Sequence, residues 1–157
     1  MATVRPARPG DEGEILRLIR ALADYEREPD AVEATADGLA DHLFRPDARV
    51  YAHVACSGGR IVGIAVWFLT FSTWTGRHGV YLEDLFVEPG ARGGGVARDL
   101  VRALAAEARE RGCARMDWAV LDWNEPAKGF YRRLGARHNA DWEPWRLDGE
   151  ALAALAD

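Results

Sequence analysis

The sequence predicts a single domain of the α+β, or mixed α/β, class. Strand-like segments dominate its first half, a strand–helix–strand–helix order follows, and a glycine-rich turn joins one strand to the longest helix. The 157 residues suffice for one core, since a chain of about 150 buries roughly 70% of its unfolded surface. One domain over 1–157 is expected.

Thr3 to Ala7 reads as a first strand ended by Pro9-Gly10, and Asp11-x-x-Glu14 has the form of a capping box. Ile15, Leu18, Ile19 and Leu22 then fall at i, i+3, i+4 and i+7, so Asp11 to Tyr25 forms an amphipathic helix. Glu26 to Ala34, acidic and interrupted by Pro29, is a loop, after which Thr35 caps a helix to about Phe44. Val50 to Cys56 and Ile61 to Phe71 pair as a hairpin around Ser57-Gly58-Gly59-Arg60. Ser72 to Gly79 is a connection and Tyr81 to Val87 a strand. The glycine-rich loop Gly90 to Gly94 precedes a helix from about Gly95 to Arg111 that Gly112 ends. Met116 to Val120 reads as a strand, Asn124-Glu125-Pro126 opens a helix to Leu134 closed by Gly135, and Trp142 to Leu147 reads as a last strand.

Composition excludes several classes. Cys56 and Cys113 are the only two cysteines and lie far apart, which argues against a disulfide scaffold or zinc ribbon and for a reducing, cytoplasmic setting. No run approaches the ~18 apolar residues of a membrane span, and Met1 to Gly10 lacks the apolar core of a signal peptide. Twenty basic against 25 acidic residues give a charge of −5, which disfavours nucleic acid and suits a small cationic partner. His42, His53, His78 and His138 show no metal-ligand spacing, so no metal is assigned. Neither Ser57 nor Ser72 sits in G-x-S-x-G, and Cys113, just past a helix end, reads as a buried thiol.

The most informative segment is Val87-Glu88-Pro89-Gly90-Ala91-Arg92-Gly93-Gly94-Gly95-Val96-Ala97, where a strand passes through a turn into a helix. Free N–H groups and the positive end of the helix dipole make such a turn an anion cradle. Neither the dinucleotide fingerprint nor a P-loop is present. What remains, Arg92-x-x-Gly95-x-Ala97, is similar to the R/Q-x-x-G-x-G/A pattern by which GNAT-superfamily N-acetyltransferases hold the pyrophosphate of acetyl-CoA. An ordinary strand-to-helix turn is the competing reading of the short pattern alone.

Leu22-Ala23-Asp24-Tyr25-Glu26, Tyr81-Leu82-Glu83-Asp84, Asp122-Trp123-Asn124-Glu125-Pro126 and Phe130-Tyr131-Arg132-Arg133-Leu134-Gly135-Ala136 make the resemblance closer. They resemble the diamine (spermidine/spermine) acetyltransferase branch. Ser72 to Arg77 and Ala119 to Asn124 look more like its thialysine-acetylating members. The resemblance spans Val4 to about Leu147. It implies the GNAT acyltransferase fold, a mostly antiparallel twisted sheet whose parallel pair splays at the acetyl-CoA site, with helices on both sides.

Carried over position by position, the backbone of Leu85, Phe86 and Val87 would pair with the pantetheine arm. Arg92 belongs to the pyrophosphate motif, and Gly93, Gly94, Gly95, Val96, Ala97 and Arg98 would hold that group. Asn124, Ala127 and Tyr131 would also meet the cofactor. Glu83 would relay a proton from the amine, and Tyr131 would serve as general acid beside the thioester sulfur. Tyr25, Glu26, Glu83, Asp117, Trp118, Ala119 and Glu143 would line the amine site, whose carboxylates attract an ammonium. Thr73 stands where polyamine enzymes have an Asp, and Asp117 replaces a His, which argues against long polyamines. Away from the motif, Tyr131 reads as a core aromatic, and Glu83 as a solvated strand residue or the partner of an Arg. Glu83 and Asp84 point to opposite faces of a strand unless a bulge intervenes.

The expected reaction is direct transfer of acetyl to a primary amine of a small molecule (a polyamine, thialysine or related compound) without an acyl-enzyme. Other readings are acetylation of a protein terminus, a lysine or an antibiotic, and a catalytically idle acyl-CoA sensor. The resemblance also implies a homodimer. An ammonium near pKa 10.4 facing a carboxylic acid near 4.3 leaves a gap of roughly 8 kcal/mol, so Glu83 alone is a poor base.

Overall fold

A computed structural model describes residues 1–157, which fall into two compact units, Met1–Leu121 and Asp122–Asp157. The first contains Thr3–Pro6 (β1), Glu12–Tyr25 (α1), Ala36–Leu43 (α2), Tyr51–Ser57 (β2), Arg60–Ser72 (β3), Arg77–Val87 (β4), Val96–Glu110 (α3) and Met116–Asp117 (β5). Its five strands form one mixed sheet in sequence order. The first three pairings are antiparallel and β4 with β5 is parallel.

The two periodicities of the sequence place the core. From α1, Ile15 and Leu18 meet Val54, Ile64, Val66 and Phe86 on one face of the sheet. On the other, Val96, Leu100, Leu104 and Ala108 of α3 meet Ala55, Ala65, Trp67 and Leu82. Full burial of each Leu or Ile stabilises the fold by about 1.5–3 kcal/mol. Thr35 caps α2 as expected, accepting from the Gly38 N–H at 3.1 Å. Gly112, at φ +68°, follows α3 in the left-handed region.

Three local expectations are corrected. Asp11 precedes α1 without capping it; its carboxylate accepts instead from Arg5 at 2.6 and 3.1 Å and from the Arg8 N–H at 2.9 Å. β4 begins at Arg77, because Ser72 already pairs with Arg77 and the connection shrinks to a tight turn closed by Gly76 N–H on Ser72 O at 2.8 Å. β5 stops at Asp117, so Trp118 to Val120 leave the ladder.

β3 and β4 shift register at Val66/Trp67: Val66 opposes Asp84 while Trp67 opposes Leu82, leaving Glu83 as the extra residue of a β-bulge. The side-chain alternation reverses there. Before the bulge Val80 and Leu82 face α3; after it Val87 does, while Phe86 faces α1. Glu83 and Asp84 therefore lie on the same face, that of α1.

The second unit holds Glu125–Arg133 (α4) and Gly149–Ala156 (α5). Asn124 caps α4 by accepting from the Ala127 N–H at 3.3 Å. Gly135, at φ +90°, ends it in a Schellman arrangement: Gly135 N–H meets Arg132 O at 3.0 Å and Ala136 N–H meets Tyr131 O at 3.1 Å. The strand expected over Trp142 to Leu147 does not form. Pro144 has no N–H to offer a ladder, and no strand of this unit is there to pair with. No helix of either unit is long and apolar enough to cross a membrane.

Candidate functional site

β4 runs alongside β5 only at Val80 and Tyr81. Beyond that point its outer edge has no strand partner, and it leads through a short 3₁₀ turn, Pro89–Ala91, into the start of α3. Gly93 and Gly95 adopt φ +86° and +81°, a conformation most side chains resist. A Cβ on Gly93, Gly94 or Gly95 would meet nothing within 4 Å, so the hollow above the turn is open. The first backbone bond inside the helix is Asp99 N–H to Gly95 O at 2.9 Å. No backbone or side-chain acceptor takes the N–H groups of Gly93 to Arg98. Successive uncommitted amides at a helix start fit a phosphate or diphosphate.

Arg92, unlike the amides that follow it, is engaged with the protein itself. Its Nε donates to Val87 O at 2.9 Å, and its guanidinium lies 5.5 Å from the Phe86 ring and 5.8 Å from the Tyr25 ring. It ties the end of β4 to the turn and links Tyr25 to both. Arg98, exposed in the first turn of α3, enters no ion pair.

The α1 face of the sheet is acidic. Glu26 ends α1, and burial pushes its carboxyl up. Asp84 is pushed up to about 6, chiefly by burial and then by the charges of Glu83 and Glu26, which couples three carboxylates across α1 and β4. Asp117 opposes Tyr81 in the parallel register and accepts from Arg115 Nε at 3.0 Å. Burial raises the Tyr81 hydroxyl, and Glu83 and Asp117 raise it further. Of the other expected amine-site residues, Ala119 is exposed, whereas Trp118 packs against the α3 core.

Glu26 is held by the chain reversal behind it. Arg27 is the one non-glycine residue at positive φ, +65°. Its N–H meets Asp24 O at 3.1 Å and the Glu28 N–H meets Ala23 O at 2.9 Å, a Schellman closure in which a glycine is usual. In the second unit, Tyr131 is half-buried on α4 with its ring 5.5 Å from that of Phe130. Asn124 is buried and bonded to Ala127, so those two expected cofactor residues are joined to each other. Glu143 is exposed outside any helix or strand.

The profile of the Acetyltransferase (GNAT) family matches residues 15–136. The chain belongs to the GNAT acetyltransferase family. This acetyltransferase is 38% identical to thialysine N-epsilon-acetyltransferase of Sus scrofa, over 98% of the chain and 96% of that protein. It is 34% identical to human spermidine/spermine N(1)-acetyltransferase-like protein 1, over 92% of the chain and 22% of that longer protein. An integron cassette protein from V. cholerae superimposes with a TM-score of 0.82 at 26% identity, covering 99% of this chain and 97% of that one. The GNAT family uses acetyl-CoA as co-substrate, whose diphosphate matches the donor set at the start of α3. The acetyltransferase is thus an acyl-transferring enzyme with an N-acetyltransferase fold. No group of three or more His, Cys, Asp or Glu side chains is placed to hold a metal ion.

Asp84 and Tyr81, which the sequence did not single out, lie among the acidic groups of this face, Asp84 beside Glu83 and Glu26 and Tyr81 beside Glu83 and Asp117. The signal for Asp84 was the adjacent pair Glu83-Asp84, ambiguous until the bulge fixes which face each takes.

Proposed function

We propose that the acetyltransferase moves the acetyl group of acetyl-CoA directly onto the primary amine of a small molecule, thialysine or a related short amino compound. The observation behind this is the convergence of Glu26, Glu83, Asp84 and Asp117 on one face of the sheet, along the strand that leads into the anion-binding turn. Bound acetyl-CoA supplies a thioester, activated toward attack by nitrogen. The amides of Gly93 to Arg98 orient it, and the open edge of β4 from Leu85 to Val87 receives its extended arm. Positioning of this kind supplies roughly 7–11 kcal/mol of a bimolecular barrier.

The carboxylates draw the ammonium in, and Glu83 takes its proton through water. Asp84 narrows the mismatch, because an acid at about 6 lies closer to an alkyl ammonium near 10.4 than an ordinary carboxyl does. A thialysine-type amine, made less basic by its sulfur, narrows it again. Tyr131 protonates the departing thiolate. The hairpin turn offers Thr73 beside the exposed Trp74 and no carboxylate for a distal ammonium, which favours short amines over long polyamines.

The deciding assay is thiol release from acetyl-CoA over a panel of amines. Short amines, thialysine among them, are expected to turn over faster than spermine. Turnover only with a protein terminus, a lysine or an antibiotic would replace this substrate class, and binding without turnover would make the protein an acyl-CoA sensor. Glu83→Gln is expected to move the pH optimum of kcat upward, because with the relay gone the amine must lose its proton in solution. An unmoved profile removes Glu83 from that role. We further propose a cytoplasmic homodimer: the free thiols of Cys56 and Cys113 suit a reducing setting, and the exposed Trp145, Leu147 and Leu155 of the second unit suit a contact with another copy.

A further inference from the structure

On the opposite face of the sheet from the carboxylates, His53 of β2 is 5% exposed and Trp67 of β3 1%. The indole Nε1–H lies 3.1 Å from His53 Nδ1. An indole N–H can only donate, so Nδ1 is the acceptor and the imidazole proton resides on Nε2. Nε2 faces Glu107 Oε1 of α3 at 3.7 Å, a separation that becomes an ion pair only if the ring is charged. Arg111, the residue just past the end of α3, bonds Glu107 at 3.0 Å and lies 5.0 and 5.2 Å from the Tyr51 and Trp67 rings. Tyr51 stacks on Trp67 at 4.6 Å. A cavity of about 140 Å³, lined by Phe44, Tyr51, His53, Trp67, Glu107 and Arg111 among others, gives the imidazole room to turn.

Trp67 is also the β3 residue at the register shift, opposite Leu82, where Glu83 becomes the extra residue. We infer that His53 is a positioning residue for the acetyl transfer: by accepting from the Trp67 indole it locks the bulge that turns Glu83 and Asp84 to the same face, and its protonation releases that lock. This rests on the amine-acetylating reading above. A charged imidazole has no acceptor nitrogen left, so it must abandon Trp67, and Glu107 is the carboxylate waiting for it. Burial holds His53 neutral, lowering its pKa below 6.5; Glu107 pulls it back up and Arg111 opposes that. The lock therefore closes as pH rises and opens as it falls.

The test uses the whole enzyme and three variants. H53L removes the acceptor, H53Q restores one that does not titrate, and W67F removes the donor. The Trp67 indole N–H resonance, assigned by its loss in W67F, is expected to shift in one transition below pH 6.5, and H53Q to abolish that transition. H53L is expected to lower kcat about 10- to 100-fold with acetyl-CoA KM little changed, as small misplacements of a reacting group do, and H53Q to recover much of the loss. A Trp67 resonance that ignores pH, or an H53L enzyme that melts earlier yet turns over at the full rate per folded molecule, overturns the inference. A wild type that acetylates no amine overturns the functional reading instead, and the indole titration still decides whether His53 switches Trp67.

Discussion

Tyr131→Phe is expected to lower kcat by about 10²- to 10⁴-fold, the range associated with loss of a general acid. The acetyl-CoA KM should hardly change. The substitution deletes one oxygen and keeps the ring beside Phe130. The backbone at this position is already fixed, because Tyr131 O accepts the Ala136 N–H that closes α4. Steady-state kinetics with a small amine should show kcat and kcat/KM for the amine falling together, the signature of an interaction made only in the transition state. A substrate whose leaving thiol is more acidic should recover part of the rate. Unchanged turnover would leave Tyr131 as a packing residue.

Asp84→Asn is expected to stabilise the protein at pH 7–8 by about 2–3 kcal/mol while weakening its grip on the amine. Burial and the neighbouring carboxylates hold Asp84 near 6 in the folded chain, against 3.8 without them, and each unit of such a shift is worth 1.36 kcal/mol. Because the folded state binds the proton more tightly, stability falls as pH rises from about 4 to about 6 and stays reduced above that. The amide has no charge to lose, so its advantage should be full above pH 6 and vanish below about 4. Urea unfolding of both proteins from pH 3.5 to 8 measures this. Parallel curves at every pH would mean that Asp84 ionises without cost. The amine KM should rise in the same variant, since the strain that destabilises the fold is the charge that attracts the substrate.

Elements whose signals are local were legible in the sequence. The stripe Ile15, Leu18, Ile19 and Leu22 made α1, Thr35 made a cap, and the glycines at 93 and 95 made the turn because only their backbones reach its conformation easily. What failed depended on partners outside the element itself. Asp11 looked like a cap until Arg5, on the neighbouring strand, claimed its carboxylate. Trp142 to Leu147 has the composition of a strand and no strand of its own unit to pair with. In the candidate site, Glu83 and the glycine turn could be named because the resemblance assigns them roles. Asp84, in the same motif, received none, since alternation along a strand turns it away from Glu83 and does not reveal which residue the partner strand will skip.

The left-handed Arg27 separates two kinds of change that the enzyme can undergo. Its reversal seals the end of α1 with bonds from Arg27 and Glu28 that reach back to Asp24 and Ala23, so the residues from Pro29 onward leave an anchor that does not depend on them. Insertions and substitutions in that acidic stretch can therefore be made while Glu26 keeps its place. The loop can thus drift in length and sequence without disturbing the carboxylate at the helix end.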